Sequence, residues 1–222
     1  MPRLLIFVDE ANFGRSARHA GFQPDLIALK NWLADPEVGR KLIEMVVYIG
    51  LPPDRRPEDM PEGWRRAYDS KHRLRHALEN NGIMTIAWRG KQIYNSNPPA
   101  FAANIDMLMA MDALELSLEA KPDIVVLVTG DGDFSYLATK LRRRGIHVEA
   151  ASLPQVMSGE LKRAVNEFID LRDFFDEVGK PFIDYHDDDH RNDDHRNDDH
   201  RNDDHRHDEQ PDVEAGADDS DS

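Results

Sequence analysis

Cysteine is absent from the 222 residues. That excludes disulfides, thiolate nucleophiles and cysteine-based zinc sites, and it fits a reducing compartment. Long apolar runs are missing too. The run Leu4-Leu5-Ile6-Phe7-Val8 is too short for a signal-peptide core and passes at once into Asp9-Glu10. No stretch approaches the ~18 apolar residues needed to span a bilayer. The expectation is a soluble, cytoplasmic protein with no membrane partner. Positive charge is also scarce, with 28 Lys/Arg against 43 Asp/Glu and a net charge of −15. The deficit is local, because residues 183–222 alone hold 17 Asp/Glu against 4 Arg. Residues 1–182 are nearly neutral and their bases are clustered, so the global charge says nothing against a nucleic-acid partner.

Apolar residues make up 40% of the chain, enough for one good core rather than two. Five short runs rich in β-branched residues read as strands: Leu4–Val8, Ile43–Ile49, Ile83–Trp88, Ile124–Val128 and His147–Ala151. Ile124-Val125-Val126-Leu127-Val128 is apolar on both faces, as a central parallel strand covered by helices must be. Helical periodicity separates the runs, over Pro24–Ala34, Glu62–Asn80, Ile105–Leu118 and Phe134–Arg144, with a last helix over Glu160–Phe168. Gly82 and Gly145 supply stop signals. The pattern predicts an α/β fold: a Rossmann-like, doubly wound, mostly parallel five-stranded sheet with helices on both faces. From about Asp184 the pentad His-Arg-Asn-Asp-Asp repeats and few apolar residues follow Tyr185. Nothing there offsets the entropy of ordering. The expected organisation is one domain over 1–182 and a disordered, acidic, His-rich low-complexity tail over 183–222. The tail reads as a solubilising extension. Weak metal binding by its histidines and occlusion of a basic surface are the alternatives.

In open α/β sheets, ligands sit beyond the carboxyl ends of the strands where the strand order reverses. Leu4–Val8 ends in Asp9-Glu10-Ala11-Asn12, and Ile124–Val128 ends in Thr129-Gly130-Asp131-Gly132-Asp133. If these strands are neighbours, Asp9, Asp131 and Asp133 converge. Carboxylates that close repel one another, and a divalent cation relieves the conflict. An all-oxygen donor set suits Mg²⁺ or Mn²⁺ rather than zinc. The plainer alternative is that Asp9 begins a turn and Asp133 caps the Phe134 helix. Asp106 falls in the first turn of the 105–118 helix, on a stripe of small residues with Ala110, Ala113 and Ser117. Its plainer role is a partner for the helix dipole. Asp112 lies in the apolar stripe with Ile105, Leu108, Met109 and Leu116, which marks it as structural.

Phe7-Val8-Asp9-Glu10-Ala11-Asn12, Asn104-Ile105-Asp106 with Asp112 beyond it, and Thr129-Gly130-Asp131-Gly132-Asp133-Phe134 together resemble the motifs of the NYN domain family. That family belongs to the PIN-like nuclease superfamily. The likeness covers roughly Pro2–Ala151, and its most specific part is Thr-Gly-Asp-Gly-Asp-Phe. It implies a Mg²⁺- or Mn²⁺-dependent endoribonuclease with metal-binding acids at Asp9, Asp106, Asp131 and Asp133. Asn12 and Thr129 would orient the water or a phosphate oxygen, so these six residues form the expected catalytic set. One departure is Ala103-Asn104, where the family often carries Lys-Gly. A lysine there would contact phosphate or stabilise developing charge, so its absence bears on rate and substrate positioning.

RNA, single-stranded or structured, is the expected partner, and self-association is left open. Bases cluster on the 62–80 helix, Arg73 among them, and the 89–104 loop offers Arg89, Lys91 and Tyr94 for phosphate contacts and base stacking. The helix face has a bland alternative as a solvated surface. Two rival functions stand beside the nuclease. One is an RNA-binding or regulatory module with the nuclease fold and little turnover. The other is a phosphatase of the haloacid dehalogenase type, which needs a second Asp two residues after the first and finds Ala11 instead.

Overall fold

Val125–Val128 is fully buried on both faces, as its uninterrupted apolar sequence requires. It belongs to the centre of a parallel sheet in the computed structural model, which describes residues 1–182. The tail expected to be disordered lies outside the described residues. The chain runs β1 (Arg3–Asp9), α1 (Glu10–His19), α2 (Leu26–Leu33), β2 (Lys41–Leu51), α3 (Glu62–Asn80), β3 (Met84–Arg89), β4 (Lys91–Ile93) and β5 (Ala100–Ala102). It continues with α4 (Ile105–Ala120), β6 (Ile124–Val128), α5 (Ser135–Arg142), β7 (His147–Ser152), α6 (Gly159–Ala164), β8 (Glu167–Asp170) and α7 (Leu171–Val178).

The main sheet has the order β3-β2-β1-β6-β7-β8, with every neighbouring pair parallel. From β1 the chain winds outward through β2 to β3, then crosses back to β6 on the other side of β1. The strand order therefore reverses between β1 and β6, where a crevice opens beyond their carboxyl ends. Strand alternation sends Leu4, Ile6 and Val8 into one core with Phe13, Leu29, Phe174 and Phe175, and Leu5 and Phe7 into the other with Met109, Phe134, Leu137 and Leu161. Burying each such side chain is worth about 1.5–3 kcal/mol relative to exposure, so β1 anchors both layers. Among the described residues no helix is long and apolar enough to cross a membrane.

The sheet has six strands rather than the five expected. The helix predicted over Glu160–Phe168 ends at Ala164, and Glu167–Asp170 forms the edge strand β8 instead. Asn166 explains the switch. Its N–H donates to Val148 O at 2.7 Å and its Oδ1 accepts the Val148 N–H at 3.0 Å, which draws the chain onto β7. The 89–104 segment is also more regular than a loop, because β4 and β5 pair as an antiparallel hairpin. Finally, α4 buries Ile105, Met109, Ala113 and Ser117, a face lying between the two stripes read from sequence. Met107, Met111 and Leu118 are left exposed.

Candidate functional site

Asp9 is the last residue of β1 and also the N-cap of α1, its Oδ1 accepting the Asn12 N–H at 3.0 Å. The plainer reading had Asp9 begin a turn; it caps a helix instead, and that accounts for one carboxylate oxygen only. The side chain is 5% exposed. Burial pushes its carboxyl up to about 6; the Asn12 N–H works against that, and the charge of Asp106 adds to it.

Beyond β6 the chain packs tightly. The Gly130 N–H donates to Asn12 Oδ1 at 3.1 Å, so one asparagine joins the ends of both central strands. A Cβ on Gly130 would lie 2.6 Å from Val156 O and 2.8 Å from Ser152 Oγ, and one on Gly132 would lie 2.7 Å from Ser158 Oγ. The glycine spacing around Asp131 therefore reflects close approach to the 152–158 segment. Thr129 is 1% exposed, and its Oγ1 accepts the Asp131 N–H at 3.2 Å. Its hydroxyl thus braces the turn from beneath the surface. Asp131 Oδ1 accepts the Asp133 N–H at 3.0 Å and caps the short 3-10 turn Gly132–Phe134 ahead of α5. Capping thus falls to Asp131, where the plainer reading gave it to Asp133, and the Asp133 side chain stands exposed.

Asp106 stands between the two strand ends. It is half-buried in the first turn of α4, and its carboxyl is raised first by burial, then by Asp131, then by Asp133. Arg15 is the cation that opposes this charge at both Asp9 and Asp106. The fold therefore groups all four predicted aspartates electrostatically, with Asp106 as the link. Among the described residues, however, the trio whose ligand atoms all lie within 4.8 Å of one another is His147, Glu149 and Glu167, toward the amino ends of β7 and β8. Arg40 occupies both oxygens of Glu149 there, at 2.7 and 3.0 Å, which marks an ion-pair network. The four aspartates are spread more widely than that trio. Asp112, as expected of a structural residue, accepts a hydrogen bond from the buried Tyr48 hydroxyl at 3.1 Å.

The residues predicted to meet nucleic acid are more dispersed. Lys91 lies on β4, and Tyr94 in the hairpin turn is 78% exposed. Trp64 of α3 holds this hairpin through its Nε1–H to Pro99 O at 2.9 Å and an edge-on contact with Phe101. Arg89 ion-pairs with Asp54 at 3.1 Å and lies over the Tyr68 ring. Arg73 is exposed on α3, while its neighbour Lys71 is paired with Glu10 beside the site. Sequence reasoning missed Arg15 and His19. Both belong to α1, which was not foreseen as a helix. Had it been, the spacing Asn12, Arg15, Ser16, His19 would have read as one helical face.

A Rossmann-like parallel sheet whose switch point gathers acids from β1, α4 and the turn after β6 is the fold of a PIN-like nuclease domain. The chain belongs to the NYN domain family, whose model matches residues 3–172 and so takes in β8 as well as the motifs. Over 186 residues it is 27% identical to the low amplitude and bright protein LabA of Synechococcus elongatus, covering 81% of this chain and 90% of that one. Among solved structures it is similar to VPA0982 of Vibrio parahaemolyticus, a protein of unknown function. The TM-score is 0.56 and the identity 21%, over 77% of this chain and 93% of that one. That second likeness is one of fold.

Proposed function

We propose that the chain is a metal-dependent endoribonuclease that hydrolyses RNA phosphodiester bonds at the Asp9, Asp106, Asp131 and Asp133 cluster. One observation carries the reading: Asp9 lies buried at the end of β1, where the strand order reverses, and its charge is felt with that of Asp106, which in turn feels Asp131 and Asp133. A fold pays for such crowding at a functional site more often than in a structural role. The donor set is all oxygen and its negative charge is only partly countered by Arg15, which fits Mg²⁺ or Mn²⁺. The second oxygens of Asp9 and Asp131, together with Asp106 and Asp133, would hold the ion. When bound, it supplies activation of water and stabilisation of the oxyanions of an in-line displacement.

The chain's own groups do the positioning. Asn12 has its Oδ1 engaged by Gly130, which leaves its Nδ2 to donate to a water or a phosphate oxygen. Thr129 acts as a positioning residue through the Asp131 backbone. Lys91 and Arg73 would meet phosphates, and Tyr94 would stack on a base. Arg89 would join them by exchanging Asp54 for phosphate. A cytoplasmic location would fit such an activity.

A second reading, an RNA-binding module with little turnover, is favoured by the spread of the four carboxylates relative to the His147 trio. Incubating the purified protein with single-stranded and structured RNA, in Mn²⁺ or in EDTA, separates the two. Cleavage in Mn²⁺ that vanishes in EDTA and in the double variant Asp9→Asn, Asp131→Asn supports the nuclease. Retained cleavage in that variant sinks it, and binding without cleavage supports the module.

A further inference from the structure

On its α1 side the carboxylate cluster opens into a cleft of about 510 Å³, lined by Asn12, Arg15, His19, Asp131, Gly132 and Ser158 among others. Asp131 belongs to both the cluster and the cleft, and Asn12, whose N–H is held by Asp9, lines the cleft beside it, so the cleft borders the cluster. Both walls are fixed at Gly130. Its N–H is held by Asn12 of α1, and its carbonyl accepts the Ser158 N–H at 2.8 Å from the opposite wall. The cleft is therefore preformed.

Arg15 lies on the wall formed by α1. It is exposed and closes no ion pair among the described residues, although its charge acts on both Asp9 and Asp106. Arg18 and His19 sit in the last turn of α1, where the helix dipole accounts for a cation. Arg15 is mid-helix, beyond the reach of that explanation. A polyanion approaching four aspartates meets repulsion that a cation beside the cluster has to offset. A guanidinium fork also matches two phosphate oxygens at once, which an ammonium does not. Asn12 Nδ2 and the Ser158 hydroxyl hydrogen are further donors on the same walls.

We propose that this cleft is a subsite for a phosphodiester group of the nucleic-acid strand, with Arg15 as the residue that binds it. The proposal rests on the phosphodiester reading of the neighbouring aspartates. It assigns to α1 a contact separate from the α3 and hairpin surface.

The test uses the full chain, its Arg15→Ala and Arg15→Lys variants, and a short fluorescein-labelled single-stranded RNA. Anisotropy in EDTA, where no metal supports cleavage, is followed over a range of salt. Mn²⁺ affinity by calorimetry and RNA cleavage in Mn²⁺ are measured in parallel. Arg15→Ala should weaken RNA binding roughly tenfold and lower the salt slope by about one. Its Mn²⁺ affinity should be unchanged or tighter. Arg15→Lys should recover most of the binding but less of the cleavage, because the charge returns without the fork. Arg15→Ala binding RNA as tightly as the wild type, with the same salt slope, overturns the proposal. If the wild type binds RNA and Mn²⁺ but cuts nothing, the nuclease reading fails, and the subsite is decided by the binding data alone. A wild type that does not bind RNA overturns both.

Discussion

Asn12 accepts the Gly130 N–H at 3.1 Å while its own backbone N–H donates to Asp9 at 3.0 Å. The sheet ladder pairs β1 with β6 as far as Val8 and Val128, and beyond it a single residue in the first turn of α1 ties the Gly130 turn to Asp9, which helps fix Asp131 relative to Asp9. Replacing it tests that dependence. Asn12→Ala leaves the buried Gly130 N–H without a partner, which should cost about 1–3 kcal/mol. Asn12→Asp retains an acceptor and should recover part of the loss, less the repulsion of one more acid in the cluster. Urea denaturation of the metal-free proteins measures both. Asn12→Ala as stable as the wild type would show that the strand ends are held by something else.

Asp9 makes the metal-free protein sensitive to pH in a known direction. A carboxyl raised to about 6 from its ordinary 3.8 favours the folded state while protonated and opposes it once ionised. Below pH 3.8 Asp9 is neutral in both states and costs nothing. Between 3.8 and about 6 the unfolded chain ionises first and stability falls; above 6 the penalty is constant, on the order of 2–3 kcal/mol. Asp9→Asn keeps the oxygen that caps α1 and removes the charge. It should therefore be more stable than the wild type at pH 8 in EDTA, with the gap closing near pH 4. Mn²⁺ should reverse the ranking by stabilising the wild type more. Thermal melts at both pH values decide this, and a variant less stable at pH 8 in EDTA contradicts it.

The sheet and the acids were legible because their signals are local. β-Branched runs announce five strands, and an acid directly after two of them announces the switch point. The missed parts depend on distant partners. Val165 and Phe168 continue an apparent helical stripe, and only the pairing of Asn166 with Val148 on β7 turns that stretch into a strand. α1 buries Phe13, Gly14, Ser16 and Ala17, small residues but for one. A helix seated so close to the sheet lacks the large apolar repeat that reveals helices such as α3. Arg15 was invisible for the same reason, since an arginine gains meaning only when its helix brings its charge near the carboxylates.

Glu149 offers a stability test away from the cluster. It is 1% exposed, and Arg40 satisfies both of its oxygens across the lower edge of the sheet. Removing the cation strands a buried charge, so Arg40→Ala should destabilise the protein by about 3–5 kcal/mol. Adding Glu149→Gln to that variant should restore much of the loss, because a neutral amide tolerates burial better than an unpaired carboxylate. A double-mutant cycle by urea denaturation reads the coupling. If Arg40→Ala costs no more than a surface substitution, His147 beside Glu149 is sufficient compensation and the assignment to Arg40 is wrong.

The β4–β5 hairpin should contribute to RNA binding in two separable ways. Tyr94 is 78% exposed at the hairpin turn, a large side chain left in water with no packing role to justify it. If it stacks on a base, Tyr94→Ala should cost about 1–3 kcal/mol of RNA affinity with little change in salt dependence. Lys91→Ala should instead lower the salt slope by about one and weaken binding to all sequences alike. Trp64 fastens the hairpin to α3, so Trp64→Phe should loosen the platform and weaken the Tyr94 contribution without touching Mn²⁺ affinity. Anisotropy titrations of the three variants across salt distinguish stacking from charge. Equal salt slopes for wild type and Lys91→Ala, with no affinity lost in Tyr94→Ala, would move the RNA track off the hairpin and onto α3 and the cleft beside Arg15.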